Sequence, residues 1–158
     1  MSFKAKNDQK MAFGDIAKSF YKNSSQHRGT LENTYLHVLG QGFITVLFGD
    51  GVANFSAHLH ERSQGSLLTG DFTEKEINQA IDNYADLINN QWGQKFGNEI
   101  KDQYDISSST VWSPELTANV LNAFQSKISE TMGIKFKTEY TAEDDFVIKL
   151  TEFFNKNR

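Results

Sequence analysis

Between Leu31 and Phe48 the chain reads LENTYLHVLGQGFITVLF. Apolar residues occupy nearly every side of a helix drawn through these positions. Such a helix cannot keep one face in water, so it belongs inside the fold with other elements wrapped around it. One proline in 158 residues and few β-branched runs favour helices for the remainder. Residues 9 to 21 place Met11, Ala12, Ile16, Ala17, Phe20 and Tyr21 at roughly helical spacing. After the Gly49-Asp50-Gly51 turn, VANFSAHLHER reads as another helix.

Start and stop signals sharpen the second half. Thr73 with Glu76 three residues later is a capping box, opening a helix that can run to about Ile100. Ser113-Pro114-Glu115 offers a capping serine, a proline at the first position and an early acid. That helix should end near Gly133. IKFKTEYT alternates and could be extended at 134–140, after which Thr141 would cap a last helix, AEDDFVIKLTEFF. Its face would carry Phe146, Leu150 and Phe153. KDQYDISSST, residues 101–110, reads as a flexible, solvated connection. No repeat or linker divides the chain. The expectation is all-α: one domain over residues 1–158, a single compact bundle of about six helices.

Charge and composition narrow the function. The formal net charge is −4, unlike a domain that binds nucleic acid by neutralising phosphates. The absence of cysteine removes disulfides, thiolate nucleophiles and cysteine zinc sites. No window reaches the ~20 apolar residues of a membrane span. The N-terminal residues lack the apolar core of a cleaved leader. The expectation is synthesis in the cytoplasm, with any export following a leaderless route.

Three places set functional side chains in apolar company. His37 and Gln41, four apart, share one face of the apolar helix. A core histidine satisfied by a backbone carbonyl is the ordinary explanation. His60 and Glu61 stand near a helix end, beside a loop of Ser, Gln and Gly that includes Gln64. Cations suit a helix C-terminus, which accounts for His58 and Arg62 but not for Glu61. Third, Asp86, Asn89, Asn90 and Gly93 follow i, i+3, i+4, i+7 on the long helix. Leu87, Ile88 and Trp92 lie opposite. A polar stripe is usually solvated, but this one lacks the Lys/Glu mixture of exposed faces. Gly93 also leaves room for another backbone or a ligand. Together these residues follow the order His…His-Glu…Asp-x-x-Asn-Asn on three successive helices, which a bundle can gather at one cleft.

In YLHVLGQGFITVLFGDGVANFSAHLHE and ADLINNQWGQKFG the chain resembles a poorly characterised bacterial family of polymorphic-toxin and secreted-effector domains. The likeness spans about residues 33–97. It departs at Leu36 and Gln94, where the family pattern carries arginines. The resemblance implies a small antibacterial hydrolase, with a cognate immunity protein as a partner. A looser likeness is to the all-α HD-type metal phosphohydrolases, whose ligand order would fall on His37, His60, Glu61 and Asp86. Lysozyme-like muramidases, with a glutamate at a helix end, offer a third comparison.

The leading expectation is a hydrolase of an envelope polymer, peptidoglycan favoured, without a cofactor. Glu61 would be the general acid or base and Asp86 the second carboxylate, with His37 and His60 orienting them. Gln41, Gln64, Asn89 and Asn90 would bind polar groups of the substrate. The alternatives are a divalent-metal phosphoesterase using His37, His60, Glu61 and Asp86, and a non-enzymatic immunity or adaptor protein. The last would recognise its partner through Trp92, Trp112 or Tyr104, although Trp112 before Ser113-Pro114 suits the core better.

Overall fold

The computed structural model describes residues 3–25, 29–54, 57 and 73–156. Its regular structure is helical: α1 (Phe3–Asn23), α2 (Gly29–Phe48), α3 (helical at 50–54 and 57), α4 (Glu74–Gln103), α5 (Pro114–Met132) and α6 (Asp145–Lys156). The all-α expectation holds, and no strand forms among the described residues. No helix among them is long and apolar enough to cross a membrane.

α2 is the central element, as its all-round apolarity requires. Tyr35, Val38, Leu39, Phe43 and Val46 are buried on it. Two of them anchor the aromatic core. The Phe43 ring centroid lies 6.4 Å from Phe13 on α1, 4.8 Å from Phe124 on α5 and 5.3 Å from Phe154 on α6. Tyr35 meets Phe20 at 6.1 Å, and Phe20 stacks on Tyr140 at 5.6 Å. These pairings run in opposite senses along α1 and α2, so the two helices are antiparallel. Aromatic pairs at such separations add about 1 kcal/mol each beyond the area they bury.

The second half closes on itself. Ser113 caps α5 by accepting from the Leu116 amide at 3.1 Å, and Gly133 ends that helix in the left-handed conformation with φ 67°. α6 begins later than the sequence suggested. Residues 141–144 form a turn in which the Asp144 carboxylate accepts from the Thr141 amide at 2.8 Å, and the helix starts at Asp145. An acid immediately before a helix is favoured by the helix dipole, and here its carboxylate also closes the turn that precedes the helix. The buried face of α6 is Val147, Leu150, Thr151 and Phe154, with Phe146 and Phe153 flanking it. Thr151 donates to Thr117 on α5 at 2.7 Å.

Segments 105–113 and 133–144 carry little regular structure and are fixed by asparagines. Asn23 brackets Thr138, accepting from its amide at 2.9 Å and donating to its carbonyl at 2.7 Å. Asn122 does the same for Tyr140, at 2.8 and 2.9 Å. Asn155 does it for Trp112, at 2.8 and 2.9 Å. A carboxamide carries one acceptor and one donor in the geometry of a peptide group, so it replaces the strand partner these segments lack. The alternation at 134–140 therefore gives only one isolated antiparallel bridge, between Ser24 and Phe136. Tyr140 itself is buried. Burial raises its phenol above the ordinary range, the hydrogen bond with Ser19 pulls the other way, and the Asp144 charge adds to the rise.

Residues 101–110 are more ordered than a flexible connection. α4 continues to Gln103, and Ile106 is buried against the core. The helix closes through an Ile106 amide to Lys101 carbonyl bond of 2.9 Å around Asp105, whose φ is 52°. Trp112 is core, its ring 4.8 Å from Phe154. Buried there, its ring offers no surface to a partner. Trp92 and Tyr104 are half-buried and packed against the same core.

Candidate functional site

The polar residues singled out on α2 and α4 meet in one seam. His37 lies with Nδ1 3.1 Å from the Asn90 side-chain oxygen and Nε2 3.2 Å from Asp86 Oδ1. Asn33, one turn earlier, donates to the same Asp86 oxygen at 3.3 Å. One turn later, Gln94 donates to Gln41 at 3.3 Å. At the far end Asn98 donates to Asp50 at 2.8 Å. Three of these pairs, 33 with 86, 37 with 90 and 41 with 94, share one offset of 53 positions. Both members advance together along the chain, so α2 and α4 run parallel with matching rows at every fourth residue.

Three glycines allow the approach. A methyl group at Gly93 would sit 2.3 Å from the Val38 carbonyl oxygen, and one at Gly97 would sit 2.5 Å from that of Gly42. Gly42 is itself closed off by Phe124, whose ring edge would be 2.5 Å away. The room left by Gly93 is thus filled by the backbone of α2. The short distance between helix axes also explains why the polar stripe faces inward. Side chains as short as Asn and Asp can span the seam only because the backbones are so close.

The seam is shielded and well partnered. The His37 and Asp86 side chains are only 12% and 17% exposed, and Asn90 and Gln41 are buried. The imidazole bridges Asp86 and Asn90 through its two ring nitrogens. Asp86 turns Oδ1 to both Asn33 and His37, and among the described residues Oδ2 has no side-chain partner. Both nitrogens of His37 are engaged, so a metal ion could bind the ring only by displacing Asp86 or Asn90. Among the described residues no group of three or more His, Asp or Glu is arranged to hold a metal.

The expected residues divide as follows. His37, Gln41, Asp86 and Asn90 come together. Asn89 does not: it is half-buried and its side chain makes no hydrogen bond among the described residues. His60, Glu61 and Gln64 lie outside the described residues, as do His58 and Arg62. Asn33 and Gln94 were missed. Their signal is a continued four-residue step: Asn33, His37, Gln41 on one helix and Asp86, Asn90, Gln94 on the other. Comparison of the chain with family models, curated proteins and solved structures finds no match.

Proposed function

We propose that the chain is a small hydrolase of a bacterial envelope polymer, peptidoglycan in the first instance, with Asp86 as a working carboxylate. The observation that supports this is the His37 bridge. One oxygen of Asp86 is fixed by Asn33 and His37 in a shielded seam, while the other meets no hydrogen-bond partner among the described residues. A carboxylate held this way can orient water or stabilise positive charge on a sugar without reorganising as the reaction proceeds. His37 is a positioning residue in this reading, because Nε2 holds the Asp86 carboxylate while Nδ1 is taken by Asn90. Glu61, which stands two residues before Ser63-Gln64-Gly65 in the sequence, is the acid or base of this reading. The envelope substrate follows from the resemblance to secreted-effector domains.

The test is turnover of purified sacculi by the native protein and by Asp86→Asn and Glu61→Gln. Each variant should lose at least about 100-fold in rate, the usual scale for a positioned acid or base. Unchanged lysis by both would reject the reading. A partner-binding role is a second reading, supported by apolar side chains exposed on α4. Expression in a sensitive host separates the two: a hydrolase directed to the envelope arrests growth, whereas an immunity or adaptor protein leaves growth intact.

A further inference from the structure

The first half of α4 is dressed in reverse for a helix of a closed bundle. Its polar side faces α2, while Ile77, Ile81, Tyr84 and Ile88 are 46, 60, 67 and 37% exposed, with Leu87 beside them at 38%. Part of the cause is the register of the seam. An offset of 53 brings Gly29, the first residue of α2, level with Asp82, so residues 74–81 overhang the start of α2.

The exposed residues follow a rule of their own. Positions 77, 81, 84 and 88 are spaced four, three and four, which is the alternation of a two-helix seam. The spacing reads the same from either end. A second α4 laid antiparallel therefore brings Ile77 opposite the partner's Ile88, and Ile81 opposite the partner's Tyr84. Every contact is apolar, and each repeats across a two-fold axis.

Charge selects this direction. One step further along the seam stand Glu74 and Gln91. A parallel pair would press two Glu74 carboxylates together, whereas the antiparallel pair sets Glu74 beside the partner's Gln91. The flanking Asn78, Ala85 and Leu87 carry no charge. Area points the same way. At about 200 Å² for a fully exposed large side chain, the five residues offer about 500 Å² per copy, and their flanks add to it. A standard interface buries about 800 Å² on each partner, so a reversible dimer is within reach.

We propose that this face of α4 is the two-fold interface of a homodimer. Sedimentation of the full chain at about 10–100 µM, the range set by a modest interface, should show a concentration-dependent dimer. Ile81→Glu should weaken association at least tenfold while leaving the helical circular dichroism unchanged. The cysteine-free chain makes orientation easy to read. Oxidising a mixture of Ile77→Cys and Ile88→Cys should give the mixed disulfide in excess over either self-pair. A native protein that stays monomeric throughout this range overturns the proposal, whether its own chain or a foreign protein covers the face. So does a dimer indifferent to Ile81→Glu, or one that yields only self-paired disulfides.

Discussion

Asp105 holds a conformation that glycine usually occupies at a helix end. With φ 52° it sits where the Ile106 amide reaches back to Lys101 and its own amide reaches Asp102 at 3.4 Å. That is the double closure of a helix on a left-handed residue. A side chain there costs about 1 kcal/mol, and an acid at a helix C-terminus opposes the dipole. Asp105→Gly should therefore stabilise the protein by about 1 kcal/mol, read as a rise of roughly 2–4 °C in thermal midpoint for a chain of this size. The same residue explains why 101–110 looked flexible in the sequence, since aspartate does not announce a helix stop as glycine does. His37 and Gln41 were legible because they stood on an otherwise apolar helix, and Asp86 and Asn90 because they formed a helically spaced polar stripe without the Lys/Glu mixture of exposed faces. Their pairing was not, because a spacing within one helix carries no information on which residue of another helix lies across from it.

For the helices the legible part was the ends. Ser113 and Gly133 bound α5 as their chemistry requires, because caps act through neighbours in the chain. The orientation of α4 was the reverse of what its apolar side suggests. Gly93 and Gly97 decide it, by letting the α2 backbone come close enough for short polar side chains to bridge. Gly93→Ala should destabilise the fold by about 2 kcal/mol or more in urea denaturation, since the added methyl meets backbone rather than a movable side chain. An Ala variant as stable as the native protein would mean that the seam is looser than described.

Across the whole molecule, the core joins both halves of the chain through Phe43, which touches rings from α1, α5 and α6. Sequence patterning placed the helix of Phe43 inside the fold, but singled out neither Phe13 and Phe124 nor the asparagines that hold irregular segments against the core. Polar residues outside helices look like solvated loop in any single sequence. Asn155→Ala removes both bonds to the Trp112 backbone and should cost roughly 2 kcal/mol, at about 1 kcal/mol for each bond. Because Trp112 is buried against Phe154, loosening this segment should also shift tryptophan emission to the red in the native state. The parallel seam has a consequence in time. Its partners are 53 positions apart, so a long stretch of chain must be drawn together before any of its bonds can form. The α1–α2 and α5–α6 pairs close over shorter stretches and are favoured to form first. The seam then belongs to the late part of folding, and damage there should surface as a faster unfolding rate with the folding rate little changed.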